Sequence, residues 1–161
     1  VYTVWLKRRT WLNIVFGGLA GSWAVLAGAT AAEPQVGAVP LALAFVLFLW
    51  TPPHFWSLAI AYRDDYAAAG VPMLPVVVGD ARAAQAIFAS TLVLVAASFV
   101  PLFFGLGAVY FAGAALGGAL FIQKAWRLAR DPGRGTAMAC FHASLAQLTL
   151  VLATAIIDAR F

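Results

Sequence analysis

Continuous apolar runs, each near the length of a membrane crossing, constrain this chain more than any other feature. They fall at about 13–32, 38–62, 84–106, 108–123 and 137–157, the fourth being the shortest. A helix crossing the hydrocarbon core of a bilayer needs roughly 20 mostly apolar residues. Stretches such as Leu41 to Trp50 lack the alternation of a membrane-barrel strand. With 64% hydrophobic and 10% charged residues and a mean hydropathy of +0.93, the chain is too apolar for a water-soluble domain of ordinary composition. The fold class these runs predict is all-α: a polytopic integral membrane bundle of about five transmembrane helices.

Cations orient the bundle. Lys7, Arg8 and Arg9 precede the first run, Arg63 and Arg82 follow the second, and Lys124, Arg127, Arg130 and Arg134 follow the fourth. All fall on one side, and only Arg160 falls on the other, which places the charged segments in the cytoplasm. The net charge of +4 is therefore topological, and a nucleic-acid surface, which needs its cations on one soluble face, is excluded. Cys140 is the single cysteine, so neither an intrachain disulfide nor a structural zinc site is available, and it reads as a small buried hydrophobe. The opening Val1-Tyr2-Thr3-Val4-Trp5 reads as the tail of an earlier span, so a fragment of a longer domain is expected.

Small residues at four-residue spacing, Gly17/Gly21 and Ala20/Ala24/Gly28 in the first run and Gly113/Gly117 and Ala114/Gly118 in the fourth, predict close helix packing. The segments Glu33-Pro34-Gln35 and Gly105 to Gly107 predict short turns. Pro52 and Pro53 lie well inside the second run, where each removes a backbone donor, so a kink or break is expected. The carbonyls of Phe48 and Leu49 then need partners, and Thr51 and His54 are placed to help. Beyond this run, Asp64, Asp65 and Asp80 belong at the aqueous edge because a carboxylate inside hydrocarbon is costly. The connection 63–82 is unusually apolar, with Val71, Met73, Leu74, Val76, Val77 and Val78, and predicts a lid folded over the membrane face and stiffened by Pro72 and Pro75.

These residues resemble the heme O synthase branch of the UbiA prenyltransferase superfamily. The resemblance runs through Tyr2-Thr3-Val4-Trp5-Leu6-Lys7-Arg8-Arg9-Thr10, Asn13-Ile14-Val15 with Gly17-Gly18 and Ala20-Gly21, and Leu49-Trp50-Thr51-Pro52-Pro53-His54-Phe55-Trp56. It continues through Asp65-Tyr66 and Gly70-Val71-Pro72-Met73-Leu74-Pro75-Val76-Val77. It implies a nine-helix membrane enzyme with two aspartate regions that bind Mg2+ and prenyl diphosphate from the cytoplasmic side of a bacterial inner membrane. Residues 1–161 would form the C-terminal part of that single domain, with the N-terminal helices and the other aspartate motif absent and the fragment alone inactive. The substrates implied are farnesyl diphosphate and heme B, with heme A synthase as a partner. Trp11, Ala24-Val25 and Ala29 depart from the pattern, as do His142 and Gln147, where aromatic residues are expected.

In this reading Asp65 holds the metal with Asp64 second, and Arg63 with Lys7, Arg8 and Arg9 neutralises the leaving diphosphate, although topology explains the basic run equally well. Asn13, Trp50, His54, Phe55, Trp56, Tyr62 and Tyr66 line the substrate cavity, where aromatic faces stabilise an allylic cation. An interfacial aromatic belt accounts for Tyr62 and Tyr66 without catalysis. His54 can ligate heme iron or orient a propionate. A UbiA-type transferase acting on a quinone or chlorophyll precursor is the enzymatic alternative. A transporter half is the non-enzymatic one, although no second proline-interrupted span supplies its repeat. The orientation predicts that cysteines placed at Ala68 and Gln35 are labelled by an impermeant thiol reagent from opposite sides of the membrane; labelling from one side refutes it.

Overall fold

The computed structural model describes residues 10–33 and 35–159; Lys7, Arg8, Arg9 and Arg160 lie outside the described residues. The elements run α1 (Asn13–Ala32), α2 (Ala38–Ala61), α3 (Arg63–Ala68), α4 (Leu74–Val78), α5 (Asp80–Ala97), a 3₁₀ turn (Val100–Phe104), α6 (Ala108–Arg130) and α7 (Arg134–Asp158). Five helical segments are long and apolar enough to cross a membrane, and no strand occurs among the described residues. The all-α membrane bundle is the observed fold.

At the charged end α5, α6 and α7 extend past their apolar runs, whereas at its other end α5 stops at Ala97 and the rest of the run forms the 3₁₀ turn. α6 continues through Lys124 and Arg127 to Arg130, so these cations ride on a helix and the connection to α7 is only Asp131 to Gly133. Likewise Arg82 sits on α5. Hydropathy stops where charge begins, but Lys and Arg are good helix formers, and cations in a last turn complement the negative end of the helix. Arg130 also packs over the Trp126 ring at 4.5 Å.

The break expected at Pro52 and Pro53 is absent: α2 is helical from Ala38 to Ala61 with both prolines inside it. Local compensation explains the continuity. Thr51 donates its hydroxyl to the Leu47 carbonyl at 3.0 Å, and Ser57 donates to the His54 carbonyl at 2.7 Å. The Phe48 carbonyl, stripped of its helical donor by Pro52, faces the bare backbone of Gly18: a Cβ there would lie 3.4 Å from that oxygen and 3.1 Å from Thr51 Cβ. His54 does not help the backbone; its ring turns toward α7.

Small residues set the helix spacing, with one shift of register. Gly18 and Gly21 face α2, whereas Gly17 borders a cavity. On α6, Gly113 meets Thr154, Gly117 meets Gln147 and Gly118 meets Val95. Buried polar groups pair across this packing: Tyr110 donates to the Ser98 carbonyl at 2.7 Å, and Gln147 Nε2 donates to Ser98 Oγ at 3.3 Å. Cys140 is fully buried among apolar neighbours. At the far end Gly105 takes φ +107° in the turn, and the Gly107 amide donates to the Asp158 carboxylate at the start of α6.

A Cβ on Gly117 would sit 3.0 Å from the Cα of Gln147, whose backbone cannot turn aside, while nothing lies within 4 Å of one on Gly28. Gly117→Val is therefore expected to lower the thermal unfolding midpoint in detergent, at a cost of about 1–3 kcal/mol. Gly28→Ala should hold or raise it through helix propensity. Equal midpoints for the two variants would refute the packing.

Candidate substrate site at the charged end of the bundle

The site begins where α2 stops. Tyr62 leaves helical geometry (φ −122°, ψ 33°) and the chain restarts as α3, placing Asp64 and Asp65 in a first turn, the end of a helix that favours carboxylates. Gly70 (φ +64°) turns the chain back, and Gly79 (φ +82°) delivers it into α5. Glycine adopts such angles without the Cβ penalty. Between these turns Met73, Leu74 and Pro75 are buried in the core, so the connection is a folded cover built from α3 and α4 and anchored by its apolar residues. Val77 alone of the predicted apolar set is strongly exposed. Arg63 Nη1 lies 3.4 Å from Asp80 Oδ2 and ties the start of the cover to its end. Both side chains are partly exposed, so the pair contributes at most about 1 kcal/mol.

Three cavities adjoin along this cover. The innermost, about 250 Å3, lies between α1, α2 and the cover, against Asn13, Ile14, Gly17, Thr51, Phe55, Tyr66, Val71 and Met73. A second, about 300 Å3, shares Tyr66 and Val71 with it and adds Tyr62 and Asp65. The third, about 420 Å3, shares Tyr62 and Asp65 with the second and is lined by Arg63, Asp64, Asp80 and Arg134. The series passes from an aliphatic and aromatic cleft to a charged mouth, which suits an amphiphile with a polar head.

Of the residues predicted for the cavity, Asn13, Phe55 and Tyr66 border the apolar cleft and Tyr62 borders the charged side. Trp50, His54 and Trp56 do not line it. Trp50 Nε1 donates to the Ser144 carbonyl at 2.9 Å. The His54 ring stacks between Trp50 at 3.9 Å and Phe141 at 4.5 Å, with Nδ1 at 2.7 Å from Ser144 Oγ. Ser144 gives its proton to the Phe141 carbonyl at 2.6 Å, so the histidine ring donates to the hydroxyl oxygen. Trp56 is buried and packs on Trp11 at 6.1 Å. All three join helices, because large rings bury more apolar area between helices than at an open mouth.

Sequence reasoning missed Thr51, Gly17 and Arg134 as lining residues. Gly17 carries no side chain to announce a function, and Arg134 is indistinguishable in sequence from the other orienting cations. Its guanidinium lies 5.3 Å from the Tyr62 ring centroid. Among the described residues no cluster of three His, Cys, Asp or Glu can enclose a metal ion. Two adjacent exposed carboxylates at a polar mouth nevertheless fit a Mg2+ ion shared with phosphate oxygens, since that ion commonly takes one or two carboxylates plus substrate and water.

The UbiA prenyltransferase family model matches residues 1–151. The chain belongs to that family. It is a multi-pass membrane protein of helical-bundle type. It is 58% identical to protoheme IX farnesyltransferase 2 of Paramagnetospirillum magneticum over 98% of this chain and 55% of the relative. To protoheme IX farnesyltransferase 1 of the same organism it is 53% identical over 98% and 56%. It is 42% identical to protoheme IX farnesyltransferase 1 of Cenarchaeum symbiosum over 100% and 54%. The chain thus spans about half the length of the curated relatives it matches. No solved structure matches it.

Burial raises the pKa of the Tyr66 phenol, which lies outside the membrane spans. A raised folded-state value means the folded protein holds its proton more tightly, so this contribution to stability is complete below the unfolded pKa of about 10 and declines as pH rises above it. Tyr66→Phe should therefore remove one late-ionising phenol from the phenolate absorbance titration and lessen the alkaline loss of stability. An unchanged titration curve would contradict the burial.

Proposed function

We propose that this chain contributes one part of the substrate chamber of a protoheme IX farnesyltransferase, which moves a farnesyl group from farnesyl diphosphate to a vinyl group of heme B. The observation that carries this reading is the series of three cavities, each sharing lining residues with the next, from the cleft at Asn13, Phe55 and Tyr66 to the charged mouth at Arg63, Asp64 and Asp65. The names of its relatives support the choice of substrates. Relatives of about twice the length support a whole enzyme whose remaining helices supply the other aspartate region. The proposed setting is the bacterial inner membrane with the charged mouth facing the cytoplasm, in keeping with the cation asymmetry. A heme A synthase would take up the product.

In this mechanism the bond between the allylic carbon and the diphosphate oxygen breaks, the electron pair leaving with the diphosphate. The π pair of the heme vinyl group then bonds to the allylic carbon, the positive charge passes to the vinyl carbon next to the macrocycle, and water adds there and loses a proton to solvent, completing the hydroxyethyl side chain. Asp65, with Asp64 beside it, would hold Mg2+ at the mouth; bound there, the ion supplies positive charge to the leaving diphosphate. Arg63 faces the same cavity and adds charge-assisted hydrogen bonds once it exchanges Asp80 for the diphosphate. Lys7, Arg8 and Arg9 are proposed for the same anion on sequence grounds. Phe55, Tyr62 and Tyr66 present ring faces along the passage and shield the cationic carbon from water. Asn13 lines the inner end. His54 is assigned to joining α2 to α7 and not to heme iron, since its ring is enclosed on both faces and Nδ1 is engaged. Trp50 shares that role, and Trp56 packs on Trp11 at the start of α1.

Asp65→Asn in the whole enzyme is expected to reduce heme O formation by about 100-fold or more, on the scale of losing a preorganised electrostatic group, with normal membrane insertion. Asp64→Asn should do less. Chromatography of heme extracts measures this, and near-normal heme O at normal protein level would remove Asp65 from the site.

A further inference from the structure

We propose that Arg134, the first residue of α7, is a diphosphate-binding residue that closes the charged mouth opposite Arg63; the proposal rests on the prenyl-diphosphate reading above. Arg134 lines the same cavity as Arg63, Asp64, Asp65 and Asp80, yet it comes from a helix some seventy residues further along the chain. The nearest ring, Tyr62, holds its guanidinium at 5.3 Å by a cation–π contact, and Tyr62 also lines both charged cavities. The group is thus positioned toward the mouth by a residue of the site itself.

Two features show that this cation is available for an anion. Arg63 is engaged by Asp80, whereas Arg134 has no carboxylate partner among the described residues. Arg134 also opens α7, where the helix end is already positive and a cation is disfavoured. A multiply charged anion at the mouth relieves both the unpaired guanidinium and the like-signed helix end. Guanidinium matches phosphate oxygens in paired hydrogen bonds that an ammonium cannot reproduce. Arg63 and Arg134 then flank the two carboxylates, and the leaving diphosphate meets positive charge from both sides.

The test is binding of inorganic pyrophosphate with Mg2+ to the purified whole enzyme in detergent, by calorimetry, which does not require heme or turnover. Arg134→Gln is expected to weaken binding at least tenfold, Arg134→Lys less, and Arg127→Gln, which does not line the mouth, not at all. In the whole enzyme Arg134→Gln should raise KM for farnesyl diphosphate more than KM for heme. Pyrophosphate binding that persists in the parent while heme O formation is absent would keep this proposal and overturn only the choice of acceptor. Equal pyrophosphate affinity in the parent and Arg134→Gln, or no measurable binding by the parent, would overturn the assignment of Arg134. Exposed Arg134 carries no core packing, so Arg134→Lys with the parent's unfolding midpoint separates lost binding from lost folding.

Discussion

Hydrocarbon cannot accept a hydrogen bond, and nearly every structural choice in this chain answers that one constraint. The long helices bond their own backbone, and their hydroxyls are turned onto nearby carbonyls. Ser22 donates to Ala44, Thr51 to Leu47, Thr91 to Ile87, Ser98 to Leu94 and Thr154 to Leu150. The same economy carries α2 through two prolines, where Thr51 and the bare face of Gly18 surround the disturbed turn. These hydroxyls are thereby committed to structure. The side chains left for anion chemistry are those at the charged end.

Glycine has two opposite uses here. Where a neighbouring side chain fills the space, as Gln147 does at Gly117 and Val95 at Gly118, the helices lock together. At Gly17 the same lack of a side chain leaves part of the cleft's wall bare. Small residues at fixed spacing therefore mark close approach without telling whether a helix or a substrate approaches. That ambiguity is why Gly17 reads as a packing residue in sequence and borders a cavity in the structure.

Hydropathy made the five helices and their order legible, because length and continuity of apolar residues map onto a single physical requirement. The extent of α6 was not legible, since hydrogen bonding continues past the point where Lys124 ends the apolar run. Asp64 and Asp65, with Arg63, stood out in the sequence because carboxylates at a membrane edge are uncommon, and all three line one cavity. Trp50, His54 and Trp56 were misplaced at the cavity for the converse reason. Aromatic and imidazole rings serve equally as substrate walls and as helix joints, and for Trp50 and His54 only the position of Ser144, ninety or more residues away, tells which.

That joint also explains how distant segments meet at the mouth. α2 runs toward the charged end and α7 runs away from it, and they are fastened at His54 and Ser144. Counting ten residues from 144 back to 134, at 1.5 Å per residue, gives roughly 15 Å along α7. Counting eight residues from 54 forward to 62 gives roughly 12 Å along α2. The two helices therefore deliver Arg134 and Tyr62 to nearly the same height, where the guanidinium lies over the ring. Loss of the His54–Ser144 contact would let α7 slide against α2 and separate the cation on one helix from the carboxylates that follow the other. A buried histidine that lines none of the three cavities can in this way set the relative height of Tyr62 and Arg134.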